Sequence, residues 1–243
     1  MADMENTTEL EEIINGFVKE SKRIACENRK SGKDFNIFNE LHIKTKETRH
    51  SLMIKSLITP DGRHGLGKVF YELFINKLEL GDWLNDYDSI KVYDEYFIGN
   101  LDKNLNDEEK KHTYWGRIDL LIENESKKKA IIIENKIYAN DQPDQLIRYN
   151  NFAKDKYDDY DLFYLTLDGK DPEFQSYLGN EKGEIDDQLE YQINLDKIHR
   201  ISYTDHILNW LAECEKITNN NHPVKVIINQ YISTIKELTN KME

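Results

Sequence analysis

A chain of 243 residues, 38% hydrophobic and 33% charged, is long enough for one large domain beneath a very polar surface. Its 46 acidic and 33 basic residues leave a net charge of −13, which argues against a protein that coats nucleic acid through a broad basic face. The two cysteines, Cys26 and Cys214, are too few for a disulfide framework and lack the spacing of a thiolate zinc site.

The N-terminus is acidic and polar, and no apolar run approaches the roughly 20 residues needed to cross a bilayer, so a soluble cytoplasmic protein without a membrane partner is expected. Thr8 followed by Glu11 has the pattern of a capping box. Leu10, Ile13, Ile14, Phe17, Ser21 and Ile24 then recur at helical spacing to about residue 29. Ser31 to Asp34 breaks that helix. Further helices are expected over Phe35–Ile43 and Lys46–Ile58, the latter closed by Pro60-Asp61-Gly62. Gly65 and Gly67 open another, whose apolar face carries Val69, Phe70, Leu73, Phe74 and Leu78.

The pattern then changes to β-branched and aromatic runs, which predict strands over Ser89–Ile98, Arg117–Glu123 and Lys129–Lys136, the last two joined as a hairpin. A helix over 142–155, a strand over Asp161–Leu167, a turn at Asp168–Pro172 and a charged loop over 171–190 follow. A last strand at His199–Tyr203 leads to a helix capped by Thr204 or Asp205 and running through Cys214. The final helix spans Val224–Met242, with Val224, Ile227, Ile228, Tyr231, Ile235 and Leu238 inward. The sum is an α/β sandwich with an antiparallel meander, not a doubly wound fold. It is read as a single domain over 1–243, with a helical lead-in (1–80), a core (88–215) and a C-terminal helix (222–242).

Two apolar strands carry charges where Val, Ile and Leu are expected: Asp119 within Gly116–Ile122, and Glu134 with Lys136 at the end of Ile131–Lys136. An unpaired buried charge costs several kcal/mol, so a cation, a partner or water must compensate. Alternation along a strand puts Glu134 and Lys136 on one face and Asn135 on the other. A hairpin sets Asp119 beside Glu134, and two adjacent carboxylates repel unless a divalent cation lies between them. The carbonyl of Asn135 is a further candidate ligand. On the next helix Gln145 lies one turn from Tyr149, with Arg148 beside it. Gln145 is placed to reach a metal-held water or a phosphate, and Arg148 and Tyr149 to contact substrate.

These residues resemble the PD-(D/E)XK nuclease superfamily, and in particular a bacterial branch with GRIDxxI, IENK and QLxRY motifs. Glu47 to Ser51, Leu57 to Gly62, His64 to Gly67, Leu165 to Gly169 and Ile201 to Trp210 are similar to other elements of that branch. The likeness runs from about Phe35 to Trp210 and omits residues 1–30 and the C-terminal helix. It implies a restriction-endonuclease-like αβββαβ core, a mixed sheet flanked by helices, with added N- and C-terminal helices. It implies Mg2+- or Mn2+-dependent hydrolysis of nucleic acid, most often DNA, in defence, repair or mobile-element biology. Asp119, Glu134 and Asn135 fall at the metal, Lys136 and Gln145 at the catalytic positions, and His50, Arg148 and Tyr149 at substrate. Glu47 and Glu72 compete for an additional acidic position, and Glu47 matches the branch pattern. The alternative reading is a catalytically silent nuclease-fold subunit of a larger complex or a homo-oligomer, which the strong negative charge favours.

Overall fold

The computed structural model describes residues 2–83, 87–106, 109–110, 113–177 and 197–240, with side chains described from residue 10 onward, residue 174 excepted. The chain divides into two compact units, Met1–His42 and Ile43–Glu243. The first holds a long helix, α1 (Ala2–Ser31), and a single turn, α2 (Ile37–Glu40), in which Phe38 N donates to the side chain of the capping Asn36. Thr8 therefore lies inside a helix that starts at Ala2, seven residues before the expected first position Glu9, so it is not the cap.

The second unit is built on a five-stranded sheet in the order β1 (Ile90–Gly99), β2 (Gly116–Asn124), β3 (Lys129–Asn135), β4 (Asp159–Thr166) and β5 (Ile198–Ser202). The first three strands are antiparallel neighbours, β2 and β3 as the tight 123–129 hairpin requires. β3, β4 and β5 run parallel, and that pairing needs a crossover, supplied between β3 and β4 by α5 (Gln145–Lys156). The central strand β3 is covered on both faces, and its Ala130–Asn135 run is buried throughout.

Leu121, Ala130, Ile132 and Leu162 share a core with Leu146, Ile147, Phe152 and Ala153 of α5. α3 (Glu47–Ile58) packs on β1, β2 and β3, while α4 (Val69–Lys77) meets α7 (Leu208–Ile217), which in turn meets α8 (Pro223–Leu238). The expected mixed α/β architecture, consistent with the restriction-endonuclease-like fold, is therefore observed.

Local differences have local causes. α5 starts at Gln145 instead of 142, because Pro143 precedes Asp144, whose φ of 56° is left-handed and non-helical. After β5, Ser202 and not Thr204 or Asp205 is the cap: its backbone is extended and its side chain accepts from Asp205 N. A π-helical turn, Tyr203–Ile207, follows before α7 begins. In α8, Ile227 is exposed, and the buried positions include Thr234. Of the expected charged loop, 178–190 lies outside the described residues, and the described part contains a short helix, α6 (Phe174–Tyr177).

Trp210 fixes α7 to α4: it is fully buried, donates Nε1 to Phe70 O at 3.0 Å, and meets the Phe74 ring edge-on at 5.1 Å. Trp210→Ala should cost about 3–5 kcal/mol of unfolding free energy, read as a lower urea midpoint at unchanged slope.

Candidate active site

β2 and β3 stay in register as far as Leu120 opposite Ile133, and there the ladder ends. The Asn135 amide is left facing β2 with no strand carbonyl to meet, and the Asp119 carboxylate takes its place, accepting from Asn135 N at 2.8 Å. On the other side, Lys136 N donates to Leu165 O of β4 at 2.8 Å. Strand alternation then aims Glu134 towards α5 and Asn135 towards α3.

Glu134 is 2% exposed, and both of its oxygens are held. Oε1 lies 2.8 Å from the Lys136 ammonium and accepts from Gln145 Nε2 at 2.6 Å. Oε2 lies 2.9 Å from the Tyr149 hydroxyl, which also reaches Arg117 O at 2.6 Å and accepts from Gln145 Nε2 at 3.1 Å. Tyr149 has one proton for two acceptors, so one of those contacts is made at a time. Asp141, also buried, stands 3.9 Å from Lys136 and is fixed by the Tyr164 hydroxyl and by Glu173 N, each at 2.8 Å.

These side chains open onto a cleft of about 280 Å3 whose lining includes Glu47, Glu95, Asp119 and Glu134 together with Arg117, Lys136 and Arg148. A larger hollow of about 500 Å3 lies beside β1, but its charged lining residues, Asp61, Lys68, Asp88 and Lys91, are all exposed. Of the two, the smaller cleft combines buried charge with converging donors, and on that ground it is the candidate site.

Glu47 reaches the cleft from the first turn of α3, where Oε1 accepts from Ile137 N at 2.6 Å and from Tyr138 N and Ala139 N at 3.1 Å each. It thereby clamps the loop leaving β3. Glu72 is elsewhere, accepting from the Tyr87 hydroxyl at 2.7 Å, so of the two competing acids only Glu47 lines the cleft. α3, and not the helix of Glu72, is the one that packs on β1.

His50, expected at substrate, is a buried tie outside the residues that line the cleft. Its Nε2 donates to Lys44 O at 2.7 Å and its Nδ1 lies 3.0 Å from the Tyr231 hydroxyl of α8. Burial pushes its pKa down, which keeps the ring neutral. Arg148 and Tyr149, expected at substrate, line the cleft but are buried and committed to protein partners. Arg148 donates to Trp115 O and Gln142 Oε1 at 3.2 and 3.1 Å, and its guanidinium stacks 3.7 Å from the centre of the Trp115 ring. The two brace the cleft wall and do not reach out of it. Asn135 has its side chain spent on Glu47 O, Ser51 Oγ and the Tyr203 hydroxyl, so only its backbone carbonyl remains for a ligand.

Sequence reading missed Glu95 and Asp141. Glu95 has a φ of 50° in mid-strand, and this kink falls between the Asp94–Leu120 and Tyr96–Ile118 pairs, opposite Asp119. Two consecutive acids inside an aromatic strand were the available signal: Asp94 pairs with Lys55 at 2.9 Å, while Glu95 lines the cleft. Asp141 carries no motif, and its burial depends on loop closure.

Burial, then the nearby Glu134 charge, pushes the Asp119 carboxyl well above the usual range. Burial raises Glu134 as well, against the pull of Lys136. Burial works against the Lys136 charge, but Glu134 and Asp141 outweigh it and hold its pKa above the ordinary value.

The donor set suits a hard divalent cation: Asp119 keeps Oδ1 outside its bond to Asn135, and Glu134 Oε2 has a second lone pair. Among the described residues no three acidic, histidine or cysteine side chains converge as a ready-made cage. An ion here would take two carboxylates and a carbonyl and complete its shell with water, as Mg2+ commonly does.

Residues 35–233 match the family model described as the PD-(D/E)XK nuclease superfamily, a range that extends past Trp210 into α8. No curated protein and no solved structure matches.

A carboxyl group with a raised folded-state pKa stabilises the fold fully below its unfolded pKa and loses that contribution as pH rises through the folded value. Asp119→Asn keeps an acceptor for Asn135 N and cannot ionise. In chelator-treated protein it should therefore raise stability at pH 7 by about 1 kcal/mol, with the gain vanishing below about pH 4. Urea unfolding at both pH values checks this, and a loss of stability at pH 7 would contradict the repulsion account.

Proposed function

The chain belongs to the PD-(D/E)XK nuclease superfamily, and from that premise we propose that it is a divalent-metal-dependent nuclease that hydrolyses phosphodiester bonds, with DNA as substrate. One observation carries the reading: Asp119, Glu134, Lys136 and Gln145, drawn from two strands and a helix, meet at the edge of one cleft. A Mg2+ or Mn2+ ion bound by Asp119, Glu134 and the Asn135 carbonyl would supply Lewis acidity, screening the phosphate and activating water.

The protein's own groups do the rest. Lys136 places a fixed positive charge where negative charge gathers on the attacked phosphate, and Asp141 keeps that ammonium from swinging away. Gln145 and Tyr149 lock Glu134 in one orientation. Glu47 anchors the 137–139 loop that walls the cleft. No helix among the described residues is long and apolar enough to cross a membrane.

Single- and double-stranded DNA and RNA, offered with and without Mg2+ or Mn2+, should be cleaved only with metal. Asp119→Ala and Lys136→Ala should each reduce the rate roughly a hundredfold or more. Cleavage that survives either substitution would refute the assignment. A folded protein inactive on every substrate would favour the silent-subunit reading suggested by the −13 charge.

A second measurement is independent of turnover. Millimolar Mn2+ should raise the melting temperature of the wild type by a few degrees, on the order of 1–2 kcal/mol, and leave Asp119→Ala unmoved. An equal shift in both proteins would place the ion elsewhere.

A further inference from the structure

α1 is 30 residues long and so spans about 45 Å. Leu10, Ile13, Ile14, Phe17, Val18 and Ile24 form one continuous stripe along it, and all six are exposed, Phe17 by 71%. A helix this amphipathic gains most of its stability from covering such a face. Its charges are segregated. Glu11 and Glu12 lie in the first half, while Lys19, Lys22, Arg29 and Lys30 dominate the second, where Arg23 is already bonded to Glu20 and Glu27.

We propose that α1 is a self-association helix that pairs antiparallel with α1 of a second copy of this chain, centred on Phe17. That register sets Leu10 opposite Ile24 of the second copy and packs the two Phe17 rings together. Glu11 and Lys22 share one edge of the stripe, eleven residues or about three turns apart. In the antiparallel pair Glu11 of each copy therefore meets Lys22 of the other. A parallel pair would leave Glu11 and Lys22 of the two copies about three turns apart on opposite edges, with no such contact. The same segregation also suits the helix's own dipole, which a helicity measurement separates from pairing. A stripe of this size makes a small two-fold interface, with a dissociation constant on the order of micromolar.

Sedimentation equilibrium of the full chain tests this, with far-UV circular dichroism to follow helicity. The wild type should dimerise, and Phe17→Asp should weaken the dimer by roughly a hundredfold or more. Glu11→Lys and Lys22→Glu should each weaken it about tenfold, and the double swap should restore it at unchanged helicity. The proposal is overturned by a wild type that stays monomeric up to roughly a hundred times that concentration, by a dimer indifferent to Phe17→Asp, or by a double swap that fails to rescue.

Discussion

A carboxylate and an ammonium two residues apart on a buried strand, held at 2.8 Å, set the terms for the rest of this fold. Removing both charges from water costs several kcal/mol, and their mutual attraction offsets that only when the remaining lone pairs and protons are satisfied. Gln145 and Tyr149 supply the donors for Glu134, which ties the first turn of α5 to the end of β3. Asn140 O accepts a second bond from Lys136 at 3.5 Å, and the Asp141 carboxylate adds an opposite charge at 3.9 Å, which draws the following loop inward and fastens it to Glu173 and Tyr164. A buried ion pair is a poor source of stability compared with an apolar pair of the same volume. Three separate segments arranged to satisfy this one are better explained by chemistry at the cleft than by stability.

The opposite face of β3 answers a different demand. Asn135 points away from the cleft and bonds Ser51 and Glu47 O of α3 and the Tyr203 hydroxyl of the π turn. His50, one residue before Ser51 on the same helix, bonds Tyr231 of α8. The backbone at Asn135, which carries both the amide bound by Asp119 and the candidate ligand carbonyl, is thus braced by a fully bonded polar layer. α8 belongs to that layer, and a family match that runs into this helix agrees with its structural part in holding the strand.

Spacing decides which parts of the site were legible in the sequence. Glu134 and Lys136 obey the two-residue period of a strand, and Gln145 and Tyr149 the four-residue period of a helix, so their facing follows from the chain alone. Glu95 depends on a left-handed residue inside a strand, and Asp141 on how a loop closes; neither obeys a period. His50 lies one turn from Glu47 on the same helix, but what its ring nitrogens bond, Lys44 O and the Tyr231 hydroxyl, is set by tertiary packing that no local spacing reveals. The partners of Arg148 and Tyr149 were not legible, because a helix that packs on a sheet buries polar residues when bonding groups from other segments await them. The cap before α7 was displaced by two or three residues because a π-helical turn intervenes, and its unusual spacing leaves no simple sequence mark.

Charge at the cleft bears on what can approach it. Four carboxylates against three cationic side chains, on a chain of net charge −13, form no attractive field for a polyanion. Of the cations, Arg148 is spent on Trp115 and Gln142, and Lys136 on Glu134, so that Arg117, 3.8 Å from Glu95, is the most available to a phosphate. A phosphodiester brought to this site therefore relies on whatever neutralises Asp119 and Glu134. Under the proposed function, the cation that would relieve the repulsion between Asp119 and Glu134 is also the group that would admit the substrate. On this account cation affinity and substrate affinity are coupled through the same two carboxylates, and each strengthens the other by the same factor.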